Sequence, residues 1–164
     1  FNQVFFDDVR VPQANRLGAE NEGWSVAKHL LTFERGGKYA PPLIERLEKL
    51  RRREGLDAVL SARLTREAVS LRALQALEMK AMRGAGGSPA LYASVLKVLG
   101  TEAMQRIDVL ACEIEGPEGW ARPDGQTPAD LAVAVPRYLN DRAASIYAGS
   151  NEIQRDLIAR LVLG

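Results

Sequence analysis

The residues best placed to do chemistry lie near the C-terminus, in Ile146-Tyr147-Ala148-Gly149-Ser150-Asn151-Glu152-Ile153-Gln154-Arg155. Gly149 lets the backbone take a conformation that a side chain resists. Ser150 or Asn151 can then cap a helix. Asn151 and Gln154 stand at capping-box spacing, with a weaker residue at the cap. Ile153, Leu157, Ile158 and Leu161 would form the apolar stripe of that helix, opposite Arg155, Asp156 and Arg160. A loop that opens onto the N–H groups of a helix start is a seat for a phosphate or a carbonyl oxygen. The same pattern describes an ordinary capped terminal helix, and local physics alone favours that plainer reading.

Few other residues invite chemistry. His29 is the only histidine, and it stands off the helix face of Glu34. Cys112 lies in an apolar helical run and reads as a buried, inert thiol. Glu34-Arg35 taken alone reads as an exposed ion pair. No metal-ligand cluster and no nucleophile–base pattern is visible in the sequence.

The chain of 164 residues is long enough for one domain with a substantial core. Its 46% hydrophobic and 26% charged residues describe a globular protein. A net charge of +1 removes any electrostatic case for nucleic acid or an anionic membrane surface. A single cysteine rules out an internal disulfide and suits a reducing, cytoplasmic compartment. No apolar run reaches the length of a membrane span, and no signal peptide is visible.

The elements that must position the terminal loop follow from periodicity. Val4, Phe5, Phe6, Val9 and Val11 form an extended run that Pro12 ends. A single strand cannot satisfy its ladder groups, so its sheet is expected in a missing part of a longer protein or in a partner chain. The start without Met, inside this pattern, adds to the expectation of a fragment. From Asn21, the spacing of Trp24, Ala27, Leu30, Leu31 and Glu34 predicts a helix. Gly36-Gly37 and Pro41-Pro42 interrupt it, giving a kinked helix or two helices, roughly 22–39 and 42–53. The charges from Glu45 to Arg53 read as a solvated face, with a CoA phosphate site as the lesser alternative.

Gly55 stops that helix. The next runs from about Asp57 to Met82, with Leu60, Leu64, Leu71, Leu74 and Leu77 on one side. Gly84 to Gly87 terminates it. Ser88-Pro89 caps and restarts a helix over 89–115. Two long helices across a short glycine loop form an antiparallel pair. Residues 116–135 read as loop, and Pro136 opens a short helical turn. The predicted fold is all-α: an up-down four-helix bundle with a short extra helix, preceded by the extended strand. The expected division is residues 1–18, terminal strand and linker of a β-domain, and residues 19–164, the bundle.

Three separated stretches resemble one family. Phe5-Phe6-Asp7-Asp8-Val9-Arg10-Val11-Pro12 is similar to the last strand of the β-domain of acyl-CoA dehydrogenases. Asn21-Glu22-Gly23-Trp24 resembles the entry to their first C-terminal helix. Ile146 to Arg155, with Ile158-Ala159-Arg160 and Val162-Leu163-Gly164, resembles their C-terminal signature. The resemblance implies the C-terminal helical domain of a flavoprotein that oxidises an acyl-CoA thioester to the trans-2-enoyl-CoA. In that family a carboxylate takes the α proton, the β hydride goes to FAD, and electrons pass to an electron-transfer flavoprotein. Members are commonly homo-oligomers, dimers or tetramers packed through this bundle. The isolated fragment is expected to be inactive, because the flavin site is built between domains and subunits.

The resemblance also assigns residues. Many members carry the base in the terminal loop, where this chain has Ala148. Others carry it on the first helix as Glu followed by Arg, which Glu34-Arg35 matches. Glu34 is therefore the implied base and Arg35 a support or substrate-binding residue. The backbone N–H of Ala148 remains the implied donor to the thioester carbonyl. Ser150 and Glu152 match FAD-contacting positions. Gly116 and Gly119 match a glycine-rich loop that reaches the FAD of a neighbouring subunit, although Pro117 replaces one of its glycine-like positions. The Arg-x-x-Phe-Gly stretch that many members use for FAD has no counterpart around Arg51 to Leu56. Two alternatives stay open: a non-catalytic subunit or assembly domain of a mixed dehydrogenase complex, and a plain helical interaction module.

Overall fold

The computed structural model describes residues 2–35, 38–84, 86, 88–117 and 133–164, with the backbone alone at 32–35. Among these residues there are six helices: α1 (Gly23–Arg35), α2 (Ala40–Arg51), α3 (Ala58–Met82), α4 (Pro89–Ile114), α5 (Ala134–Asp141) and α6 (Asn151–Leu163). Helix α4 is the axis, and α1, α2, α3, α5 and α6 all pack against it. That is why its buried positions run nearly all round, from Ala93 and Ser94 through Lys97, Gly100 and Thr101 to Cys112. A helix enclosed by neighbours has little need of a single apolar stripe.

The interruption after α1 yields two separate helices. Pro41 and Pro42 sit in the first turn of α2, where a missing N–H costs nothing. Glu78 of α3, 5% exposed, closes that end. Its Oε1 accepts from Tyr39 N at 2.6 Å and Ala40 N at 3.0 Å. A carboxylate at this point meets the positive end of the α2 dipole. Gly100 admits the junction: a Cβ there would stand 2.2 Å from Tyr39 Cγ.

The other boundaries follow from local chemistry. Asp57 caps α3, accepting from Leu60 N at 2.7 Å. Ser88 takes the cap position of α4 but makes no side-chain cap bond. Helix α5 begins at Ala134, so Pro136 lies within its first turn rather than opening it. Residues 118–132 of the expected loop lie outside the described residues. The core joins Leu43, Leu47 and Leu50 of α2 to Leu64, Leu71 and Leu74 of α3 and to Leu96, Ile107 and Leu110 of α4. Each such side chain contributes about 1.5–3 kcal/mol on burial.

The N-terminal segment departs from the expected strand. Among the described residues there is no β-ladder, and residues 2–12 carry only a bend at Asp8 before a 3-10 turn at Gln13–Asn15. Val4, Phe5 and Phe6 are 71–80% exposed. The extended pattern is written in the residues, but a strand exists only where a partner supplies its hydrogen bonds. No helix among the described residues is long and apolar enough to cross a membrane.

Candidate active site

Helix α5 ends in a 3-10 turn, Arg142–Ser145, and the chain then turns through residues 146–149 into α6. Two successive residues of that turn take positive φ: Ala148 at +55° and Gly149 at +86°. For glycine this is free, whereas for alanine it costs about 1–2 kcal/mol. Such a conformation persists only where its surroundings over-determine it.

Buried side chains supply that constraint. Lys97 Nζ donates to Ala144 O at 2.8 Å and to Asn151 Oδ1 at 3.0 Å. Asn151 Nδ2 donates to Thr101 Oγ1 at 3.1 Å, and Thr101 Oγ1 donates to Lys97 O at 2.8 Å. Gln154 Nε2 donates to Gly149 O at 3.3 Å and to Ala148 O at 3.5 Å. Lys97, Thr101, Asn151 and Gln154 are all 3% exposed or less. The loop is thus clasped at both ends and under its apex.

Of the two cap residues the sequence offers, Ser150 is the N-cap of α6, accepting from Ile153 N at 3.4 Å. Two other expectations are corrected. Gln154 does not close a capping box; it holds loop carbonyls instead. The stripe meant for the core faces outward in part: Ile153 and Leu161 are about half exposed, and the buried residues of α6 are Asn151 and Gln154. Polar burial wins here because the loop carbonyls need donors more than the helix needs apolar contact.

Of the residues implied by resemblance, the structure brings Ala148, Ser150 and Glu152 together on this loop and helix start. Glu152 is exposed, and its carboxyl is held below the usual range by its own backbone N–H and then by the Ser150 hydroxyl. It is an ionised acceptor, suited to a hydroxyl or N–H donor and not to a phosphate. Gly116 has φ +68° and open space around it, whereas Gly119 lies outside the described residues. The side chains of Glu34 and Arg35 also lie outside them; their backbone forms the end of α1. Tyr39, just before α2, lies close enough to Tyr147 of the terminal loop to feel its charge. Burial pushes the Tyr39 hydroxyl pKa up, and the nearby Tyr147 and Glu78 push it further.

A second polar region lies toward the other end of α4. From Lys97 to Ala111, at about 1.5 Å per residue, is roughly 21 Å of helix. Here Arg46, Lys49, Arg52, Arg53 and Arg137 line a cleft of about 550 Å³. Arg53 pairs with Glu115 at 2.7 Å across it. Arg46, Lys49 and Arg53 are engaged by carboxylates, and with Arg52 and Arg137 they leave the cleft a surplus of positive charge that suits an anion. The run read as a solvated face is therefore only partly so: Lys49 is exposed, but Arg46 and Arg53 are half-buried.

Under the cleft, Arg46 Nη1 bonds Asp108 Oδ1 at 2.5 Å and reaches Asp141 Oδ2 at 3.4 Å. Asp108 is 1% exposed, and its Oδ2 has no hydrogen-bond partner among the described residues. Its pKa is pushed up to about 7, first by burial, with Arg46 opposing and the neighbouring Asp141 carboxyl adding to the rise. Burial likewise raises the thiol of Cys112, which is fully enclosed. Among the described residues no group of His, Cys, Asp and Glu could hold a metal.

Sequence reasoning missed Lys97, Thr101, Asp108, Asp141 and Glu78, and it read Arg46 only as part of a charged run. One signal was available: Lys97 interrupts the apolar run Val95-Leu96-Val98-Leu99. A lysine inside an enclosed helix must have partners.

Comparisons with known proteins agree with this fold. Residues 21–163 match the model of the acyl-CoA dehydrogenase C-terminal domain. The chain is 37% identical over its whole length to acyl-CoA dehydrogenase IpdE1 of Mycobacterium tuberculosis, of which it covers 44%. Its fold superposes on a chain of the ChsE4-ChsE5 complex of Mycobacterium tuberculosis with TM-score 0.79 and 27% identity, covering 98% of this chain and 44% of that one. A Tcur3481-Tcur3483 protein described as a steroid ACAD, in its G363A variant, gives TM-score 0.81 and 25% identity over the same shares. The chain thus spans under half the length of these relatives. A bundle built round α4, with a clasped loop leading into its last helix and a family match from Asn21 to Leu163, makes this chain the C-terminal domain of an acyl-CoA dehydrogenase family member.

Proposed function

We propose that the full-length protein is an FAD-dependent acyl-CoA dehydrogenase that converts an acyl-CoA thioester to its trans-2-enoyl-CoA. The observation that carries this reading is the Ala148-Gly149 turn. It lacks a side-chain base, yet it is held by buried donors in a conformation that alanine does not adopt freely. A loop held this firmly is built to present backbone groups.

Ala148 N–H bonds the thioester carbonyl as enolate charge develops, a contribution of about 3 kcal/mol. Glu34, at the end of α1, takes the α proton, and Arg35 supports it. FAD, when bound, accepts the β hydride. Glu152 and Ser150 fit its hydroxyl and N–H groups. The basic cleft suits phosphates, and Gly116 and Gly119 match the loop that in relatives reaches the FAD of a neighbouring subunit. Electrons then pass to an electron-transfer flavoprotein. The buried single cysteine fits a reducing, cytoplasmic setting. The exposed Phe5, Phe6, Trp24 and Leu163 support further domains and subunits around this one. We propose a dimer or tetramer of like chains. The ChsE4-ChsE5 neighbour is a complex of two different chains, which favours a second reading: this chain as one subunit, catalytic or not, of a mixed complex.

The test is bleaching of the yellow full-length protein by a panel of straight, long and ring-bearing acyl-CoA thioesters. Glu34→Gln is expected to slow flavin reduction at least about 10³-fold while FAD stays bound. Reduction at the unaltered rate would remove Glu34 as the base. Absence of bleaching by every thioester would favour the non-catalytic subunit.

A further inference from the structure

We infer that Lys97 is the positioning residue of the oxyanion loop: from α4 it sets the geometry of the Ala148 amide without touching the substrate. The inference rests on the reading of Ala148 as a donor to the thioester carbonyl.

The loop from Ala144 to Asn151 has two ends, and one buried ammonium holds both. Lys97 Nζ takes Ala144 O at 2.8 Å and Asn151 Oδ1 at 3.0 Å. With its ends pinned to a single atom, the intervening turn has one span to cross. It crosses it by putting Ala148 and Gly149 at positive φ in succession. Gln154 then takes the carbonyls of these same two residues. The carbonyls therefore face the interior, while Ser150 and Glu152 stand at the start of α6.

Burying a lysine to 1% exposure is costly unless its donors are used. Packing alone does not ask for it: leucine at this position would serve an enclosed helix better. What leucine cannot do is bond an acceptor at each end of one loop. Thr101 completes the arrangement, fixing the amide of Asn151 so that its oxygen faces Lys97. In a catalytic loop without a carboxylate of its own, the precision of the amide is all the loop offers. A displacement of about 1 Å at such a group can cost around 100-fold in rate.

The experiment uses the full-length enzyme with FAD bound and rates counted per bound flavin. Lys97→Met is expected to lower kcat roughly 10–100-fold with KM for the acyl-CoA within about 2-fold, because a donor that acts mainly in the transition state governs kcat. A 3-thiaacyl-CoA can lose an α proton but is not dehydrogenated, so its long-wavelength absorbance with the flavin reports the enolate alone. That absorbance should weaken in Lys97→Met. Amide hydrogen exchange of the 144–150 segment, read without substrate, should speed up about 10-fold. Asn151→Ala, which frees only one end of the loop, should show the same signature at smaller size, roughly 3–10-fold in kcat.

If Lys97→Met or Asn151→Ala keeps the unaltered kcat and exchange rate, the inference is overturned. If Lys97→Met yields no folded protein, Asn151→Ala decides the matter by the same readouts. Loss of FAD with unchanged activity per flavin would make Lys97 merely structural and would also overturn it. These failures differ from failure of the functional reading, in which the unaltered enzyme itself dehydrogenates no thioester.

Discussion

Helix α4 carries two buried polar clusters of opposite character. In its N-terminal half, the cation Lys97 is held by a backbone carbonyl and a neutral amide oxygen. In its C-terminal half, Asp108 meets Asp141 of α5, and both pair with Arg46 of α2 while Arg137 also acts on Asp108. The first joins a cation to uncharged acceptors. The second is sensitive to pH, because burial beside a second carboxyl pushes the pKa of Asp108 up to about 7. The first holds a loop, so its loss should appear in rate. The second ties α2 to α4 and α5, so its loss should appear in stability.

Removing Arg46 tests that contrast most severely. Arg46→Met leaves two buried carboxyls without their cation, and a broken pair of this kind costs about 3 kcal/mol. The cost should shrink at pH 5, where Asp108 can take up a proton, and urea unfolding at pH 5 and pH 8 would measure both values. A penalty that is equal at the two pH values would contradict the clustered titration.

A smaller effect comes from Asp108 itself. Its folded value of about 7 stands above its ordinary 3.8. Between those values the folded chain binds a proton that the unfolded chain has lost. The contribution is therefore fully present below about 4 and declines as pH rises through 7, at no more than about 1.4 kcal/mol per pH unit. Asp108→Asn should flatten that decline, as read from unfolding midpoints between pH 5 and pH 8.

The smallest change is expected at Arg155, whose pairing with Glu102 joins α6 to α4 on the surface. Arg155→Ala should cost less than about 1 kcal/mol and lose even that in high salt. Should thermal unfolding show a loss as large as that of Arg46→Met, burial would not be what separates these polar groups.

Much of the bundle is legible in residue spacing. Leucine periodicity places α3 and α4 within a residue or two of their observed bounds, since an apolar period kept over many turns is hard to mimic by chance. Pro41-Pro42 and Gly84 to Gly87 mark real interruptions. The N-terminal segment is less legible: its pattern describes a strand, but its partner is not among the described residues. On α6 the pattern misleads, because Ile153 and Leu161 look like core while Asn151 and Gln154 occupy the buried face. Periodicity counts apolar residues and is blind to a polar face that is buried by its bonds.

Local spacing and residue type, which act over a few bonds, were enough to set the helix inventory, the glycine turn before the last helix, and the family motif that contains Ala148. Packing had to supply the rest. It brings Lys97 of α4 under the loop of Ala148, closes the start of α2 with Glu78, and joins Arg46 to Asp108 and Asp141. Each of these contacts links groups far apart in the chain. Their energy comes from desolvation and hydrogen-bond geometry, which exist only once the helices have packed.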